Sequence, residues 1–188
     1  EGVLPGLRIE EGLRFDREDR IGGEAMTCRI AIDARRDVDD AILARIERDR
    51  KVTFIDRMGW DLKAVDGRER DQFDTPDSLV LRAGDPLIFS MRINPAERSM
   101  VRELWPDFTV NLDAGSFELS RWISHGKGSL KDTRGAVAAM IAEFRARQWL
   151  DLFSVATDRI VAAHKVFGMN PTEEFRIGDD VNLCKWRL

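Results

Sequence analysis

The sequence predicts a three-layer α/β/α sandwich: a mixed sheet with helices on both faces. Three observations carry that prediction. Strand-like and helix-like segments alternate along the chain, two long segments place apolar residues at helical spacing, and the short apolar runs between them are bounded by turn residues. The 188 residues suit one compact domain. Residues 1–25, rich in Gly, Arg and Glu and weakly periodic, read as an N-terminal extension that is not part of the core. The single domain is then expected over 26–188, beginning at the first methionine, Met26.

Taken in order, Cys28 to Asp33 reads as a short strand. From Asp37 to about Lys51 the pattern is an amphipathic helix, with Ile42, Leu43, Ile46 and Val52 on one stripe. Residues 56–77 are polar and turn-rich, a longer connection than most. Ser78 to Arg82 and Leu87 to Ile93 read as adjacent strands joined across Gly84-Asp85-Pro86, and Ser116 to Ser124 as another. Asp132 is the expected cap of a helix running to about Gln148, with Val137, Met140, Ile141 and Phe144 facing inward. A strand over Leu152 to Ala156 leads into a second helix that ends at Gly168, and residues 174–188 hold two more short strand candidates.

Composition narrows the chemistry. A net charge of −4 argues against non-specific nucleic-acid binding, which needs a basic face. No apolar run approaches the roughly 20 residues that span a bilayer, and the N-terminus lacks the charged-then-apolar form of a signal peptide. Cys28 and Cys184 are far apart, so a cytoplasmic setting without disulfides is the expectation. Only two histidines occur, His125 and His164, in no metal-ligand spacing, and tyrosine is absent. Neither a metal centre nor an ordinary Ser-His-Asp triad is expected. The reactive groups must be carboxylates, arginines and backbone.

Three segments concentrate such groups. Arg50, Phe54 and Trp60 occupy RKVTFIDRMGW; Glu69, Asp71 and Asp74 lie in ERDQFDTPD; Glu118 and Arg121 lie in FELSR; and Arg92 stands at the end of an expected strand. Each has a plainer explanation. Arg50 can be a solvated helix charge, Phe54 and Trp60 can be core, and the acidic stretch suits a surface turn. Glu118 and Arg121 are harder to dismiss, because apolar Phe117, Leu119, Trp122 and Ile123 surround them and buried charges need partners. In a regular strand these two point to opposite faces, and they converge only across a bulge.

In this order and spacing the three segments resemble the acyl-homoserine-lactone synthases, the LuxI-type autoinducer synthases, from about Arg50 to Gly168. The resemblance implies an N-acetyltransferase-like fold whose mixed sheet is splayed to admit an acyl-phosphopantetheine arm. It implies N-acylation of S-adenosylmethionine from an acyl thioester, then lactonisation with release of methylthioadenosine, yielding a quorum-sensing signal. The acyl donor would be an acyl-acyl-carrier-protein or acyl-coenzyme A, with S-adenosylmethionine as substrate and no cofactor. No nucleic acid and no membrane partner is expected. The family pattern maps onto Glu118, Arg121, Asp71 and Arg92 as catalytic residues, with Glu118 the chosen general base. Arg50, Phe54, Trp60, Glu69 and Asp74 fall to substrate binding or to pinning the N-terminal segment over the site.

For the acyl pocket the candidates are Trp105, Met140, Phe144, Trp149, Phe153 and Ser154. Trp105 stands where the family usually has phenylalanine. Ser154 matches a position, often threonine, linked to tolerance of a 3-oxo group, although a strand serine with only a structural role fits as well. Arg145, Arg147 and Lys165 could meet an acidic carrier protein, or simply be a solvated face. The competing enzyme reading is an N-acyltransferase that uses acyl-coenzyme A and a different amine, since the His125-Gly126-Lys127-Gly128 loop loosely resembles a pyrophosphate cradle. A non-catalytic signal-binding relative would need losses in the charged cluster, and none is visible.

Overall fold

The computed structural model describes residues 28–112, 115–126 and 129–188. The proposed extension over 1–25 lies outside the described residues. Seven strands form the main sheet: β1 (Ile30–Ala34), β4 (Leu79–Ala83), β5 (Phe89–Pro95), β6 (Phe117–Ser124), β7 (Asp151–Thr157), β8 (Glu173–Arg176) and β9 (Val181–Arg187). Their order across the sheet is β1-β4-β5-β6-β7-β9-β8. All neighbours run antiparallel except β6 and β7, which are parallel, as strands joined through a helix can be. That helix is α3 (Leu130–Ala146). A small hairpin of β2 (Ala64–Val65) and β3 (Arg68–Glu69) organises the long polar connection.

Helices α1 (Asp40–Arg50) and α2 (Met100–Leu104) cover one face of the sheet, and α3 with α4 (Asp158–Val166) cover the other. The α3–α4 layer holds the larger core, including Leu81, Phe89, Met91, Ile93, Leu119, Val137, Met140, Phe144 and Leu152. On the opposite face Leu43 and Ile46 of α1 pack with Val38 and Val80, while Val101 of α2 packs with Ala96, Phe153 and Leu183. The α/β sandwich is therefore as expected. So is the splay. Parallel β6 and β7 pair only at Phe117–Leu152 and Glu118–Phe153, after which β6 stays with β5 and β7 with β9. No helix among the described residues is long and apolar enough to cross a membrane.

Several local expectations need correction. Asp39 caps α1, its Oδ1 accepting from the N–H groups of Ala41 and Ile42 at 2.9 and 3.2 Å. α1 then runs into a π-helical turn over Lys51–Arg57, whose wider winding carries Val52 off the apolar stripe and leaves it exposed. Asp132 is not the cap of α3. Ser129 is, because its backbone is still extended while Asp132 is already helical. The two form a reciprocal capping box: Asp132 N–H donates to Ser129 Oγ at 3.1 Å and Ser129 N–H to Asp132 Oδ2 at 3.0 Å. The sequence reading also missed α2, which at five residues is too short to show a period.

Candidate active site

The site begins with a defect in β6. Across β5 and β6, Asn94 faces Glu118 and Arg92 faces Ser120, but Ser90 faces Ile123, so two residues of β6 oppose Met91 alone. Arg121 takes up the extra length in a left-handed conformation, φ 54°. The bulge turns Arg121 onto the face that already carries Glu118, Ser120, Arg92 and Asn94. That is the α1–α2 face. The bulge on which convergence depended is present.

Three arginines and three carboxylates interlock there. Arg50, from the last turn of α1, donates through Nε to Glu69 at 2.5 Å and through its two Nη groups to Asp74 at 2.8 and 2.7 Å. Arg121 donates through Nε to Glu69 at 3.1 Å and through Nη2 to Asp71 at 2.8 Å. Arg92 binds Asp71 through Nη1, approaches Asp74 at 3.4 Å and donates through Nε to Ser120 Oγ at 3.1 Å. The carboxylates sit on and just beyond β3, where Asp71 also accepts from the Phe73 N–H at 2.9 Å and so fixes the turn. The family-matched residues from Arg50 to Arg121 thus meet in space, with Glu118 the exception discussed below.

Aromatic faces complete the cluster. Phe54, from the π-turn, stacks on Trp60 at 4.8 Å between ring centres, and the Arg121 guanidinium lies 5.5 Å from the Phe54 ring. Arg92 stands 5.6 Å from the Phe73 ring. Phe54 is therefore both core and floor of the site. Burial by itself raises the Asp74 carboxyl, but the hydrogen bonds and charge of Arg50, with Arg92 and the Asp71 N–H, outweigh it and hold Asp74 well below the usual carboxylate range. Burial lowers the Arg50 guanidinium, yet Asp74 and Glu69 carry it above its ordinary value. Arg121 is pushed down by burial against the pull of Glu69 and Asp71. One guanidinium nitrogen in the cluster, Arg92 Nη2, is buried without a hydrogen-bond partner among the described residues, as is Trp60 Nε1.

Glu118 is fully buried, but its partner is not Arg121. Its two oxygens accept from the N–H groups of Met100 and Val101 at 3.2 and 3.4 Å, the free donors at the start of α2. Ser99 caps the same helix through the Arg102 N–H at 3.2 Å. Arg121 found Glu69 and Asp71 instead because the bulge aims it across to β3. Burial pushes the Glu118 carboxyl above its ordinary value, with Asp71 adding to this, while the two N–H bonds and Arg92 pull the other way. Beside it, a cavity of about 290 Å³ opens between the 72–75 turn and residues 97–103, with Phe73, Asn94 and Ser99 in its wall.

The six acyl-pocket candidates do not form one wall. Met140 and Phe144 lie in the α3–α4 layer with Trp149, which packs against Phe117 and Phe144. Ser154 shares that face by strand alternation with Leu152 and Ala156. Phe153 points to the opposite face, among Ala96, Val101 and Leu183. Trp105 follows α2, also on that side. Strand period separates neighbours 153 and 154 as surely as it unites 152 and 154. A second cavity, about 430 Å³, lies where β6 and β7 are still paired, and of the predicted residues only Phe153 borders it.

Comparison with known proteins points to the same family that the sequence resembles. The autoinducer synthase family profile matches residues 35–122, the stretch from just before α1 to the bulge. Over that stretch the chain is similar to the autoinducer synthases. A probable acyl-homoserine-lactone synthase of Sinorhizobium fredii is 28% identical over 153 residues, which cover 71% of this chain and 74% of that protein. Among solved structures, the synthase LasI aligns with a TM-score of 0.69 at 21% identity, covering 85% of this chain and 89% of that one. The coenzyme-A-dependent synthase BjaI, solved with S-adenosylmethionine and isopentyl-coenzyme A, aligns with a TM-score of 0.68 at 17% identity, covering 84% and 81%. N-acyltransferase and N-acetyltransferase structures share the fold.

Around the matched residues, the candidate site includes groups that the sequence did not single out. Ser120 holds Arg92, and Asn94 Nδ2 donates to the Phe73 carbonyl at 3.3 Å. Glu47, fully buried, is bound by Arg35 and by Arg70 at 2.7 Å. A buried Glu on an otherwise polar helix carried no periodic signal. Histidine was also undervalued. His125 Nε2 lies 2.8 Å from Ser90 Oγ and its Nδ1 lies 2.6 Å from Asp49, so a Ser-His-Asp chain exists after all. Ser90 is fully buried and borders neither cavity, so the chain acts as a tie between α1, β5 and the end of β6. Of the three surface cations considered for carrier docking, Arg147 pairs with Glu143 at 2.8 Å and Lys165 with Glu174 at 3.4 Å.

Proposed function

We propose that this chain makes an acyl-homoserine lactone from S-adenosylmethionine and an acyl thioester. The observation that carries the reading is the buried arginine–carboxylate network on the bulged face of β6, with Glu118 on the same face where β6 and β7 part. The ammonium of S-adenosylmethionine must lose a proton before its nitrogen can attack the thioester carbon. Glu118 is assigned as the base. Its burial raises its proton affinity, and each oxygen accepts one N–H bond, so a lone pair remains on each for the amine or for a bridging water. The nitrogen–carbon bond forms as the carbon–sulfur bond of the thioester breaks, and the thiol leaves with a proton. The substrate's carboxylate then attacks its own γ-carbon, closing the lactone and expelling methylthioadenosine, a step in which positioning matters most.

The arginines in the network are already engaged by Glu69, Asp71 and Asp74, which favours the pinning role for Arg50 and Arg121. Arg92 differs. Its unpartnered Nη2 is the donor we assign to the amino-acid carboxylate of S-adenosylmethionine. BjaI is coenzyme-A-dependent, and its likeness supports an acyl-coenzyme A donor here, with a carrier-bound acyl group as the other source. Purified protein should release methylthioadenosine from S-adenosylmethionine when given a suitable acyl thioester, with the lactone seen by mass spectrometry. Silence across a panel of carrier-protein and coenzyme-A thioesters would overturn the synthase reading.

A further inference from the structure

Asn94 stands where the proposed chemistry needs a second acceptor. Across β5 and β6 it is the direct partner of Glu118, so the two side chains leave the sheet together on the α1–α2 face. It is buried, with 3% of its surface exposed, and it borders the cavity of about 290 Å³ beside Glu118. Its Nδ2 donates to the Phe73 carbonyl at 3.3 Å. A carbonyl only accepts, so this bond fixes which way round the carboxamide sits, with Oδ1 turned away from Phe73. Oδ1 has no hydrogen bond among the described residues. An amide oxygen without a donor, on a buried side chain in a cavity wall, asks for a donor from a ligand.

Arg92 precedes Asn94 by two residues on the same strand and on the same face, roughly 7 Å along it. Its Nη2 is likewise without a hydrogen-bond partner among the described residues. β5 therefore presents an unused guanidinium nitrogen and an unused amide oxygen side by side, with the Glu118 carboxylate next to the oxygen. That is the complement of an α-amino acid head, in which an anionic carboxylate and a cationic ammonium share one carbon. An ammonium has three N–H donors. Glu118 takes one proton, and an acceptor on a second N–H fixes how the nitrogen turns. The lone pair left behind then points in one direction only, as an attack on a thioester carbon requires.

We propose that Asn94 Oδ1 accepts an N–H of the substrate's α-amino group beside Glu118, so that β5 grips an α-amino acid head with Arg92 on its carboxylate and Asn94 on its amine. This rests on the synthase reading for the identity of the substrate, S-adenosylmethionine. The test is calorimetric binding, without acyl donor, of S-adenosylmethionine and of the analogue that carries hydrogen in place of the α-amino group. Wild type should prefer S-adenosylmethionine by about tenfold or more. In Asn94→Leu, which keeps the volume and removes the acceptor, that preference should shrink about fivefold or more, while the analogue binds within about twofold of wild type. A role confined to holding the Phe73 turn would instead weaken both ligands together. Asn94→Asp loses Nδ2 but keeps an acceptor, so it should retain the preference. By setting a second carboxylate beside Glu118, it should also move the ionisation of Glu118 seen in the acylation rate to higher pH.

Equal affinities of the two ligands for wild type overturn the proposal whether or not the variants fold. Equal losses of both ligands in Asn94→Leu do so as well, and so does a preference lost as fully in Asn94→Asp as in Asn94→Leu. The synthase reading is tested apart from this, by methylthioadenosine release. If no thioester yields it while the amine preference depends on Asn94, the amino-acid head is held as proposed and the synthase reading fails. If it is released and Asn94→Leu keeps the preference, the assignment of Asn94 fails alone.

Discussion

Glu118 is the residue on which the proposed chemistry turns, and its surroundings sharpen what its replacement should do. Both carboxylate oxygens serve the start of α2, so Glu118→Gln keeps an acceptor for one N–H and sets a donor against the other. We expect kcat to fall by roughly 10²–10⁴ with a modest drop in melting temperature, read from single-turnover acylation rates and thermal melts. The wild-type rate should rise with pH along a limb centred above the ordinary glutamate value of 4.5, because burial favours the protonated acid. Glu118→Gln should lack that limb. The stability signs are opposite for Glu118 and Asp74. Glu118, raised on folding, contributes stability that is fully present below 4.5 and lost as pH rises through its folded value. Asp74, lowered on folding, contributes stability that is present above 3.8 and lost as pH falls toward its folded value. The sequence marked Glu118 as a buried charge in need of a partner. It could not name the partner, because Met100 and Val101 are 18 and 17 residues away and offer only backbone.

At the scale of elements, strand and helix placement followed from local pattern, and the functional irregularities did not. The bulge at Arg121, the π-turn after α1 and the five-residue α2 each break a period rather than make one. Arg121 in the left-handed region is held there by Glu69, Asp71 and the Phe54 ring, partners that no local window contains. The cap of α3 is a contrasting case, since Ser129 and Asp132 show the capping-box spacing openly. Ser129→Ala should lower the free energy of unfolding by about 0.5–2 kcal/mol. Urea titrations with an unchanged m-value would show this as a lower midpoint, and an unchanged midpoint would mean that Asp132 alone satisfies the helix start.

Across the whole molecule, the ion-pair network joins α1, the segment after β3, β5 and β6 into one unit. Arg50 is its hinge, bonded to Glu69 and Asp74 with almost no exposure. Arg50→Met should cost about 3–5 kcal/mol, because two buried carboxylates lose their counter-charge. Adding Asp74→Asn should recover part of that loss, which a double-mutant cycle in denaturant would measure; strict additivity would show that the pair is not coupled. The sequence by itself determined the order and kind of the main elements, since period 2, period 3.6 and capping residues act within a few positions. It also singled out the charged residues that meet in space, because the ERDQFD and ELSR strings concentrate charge that an ordinary surface does not need. Only the tertiary structure decided which charge meets which, that Glu118 serves α2 rather than Arg121, and that the acyl-pocket candidates divide between two faces. Those outcomes depend on register and through-space electrostatics. A single bulged residue in β6 changes which face a side chain reaches, and nothing in its immediate neighbours records that it will.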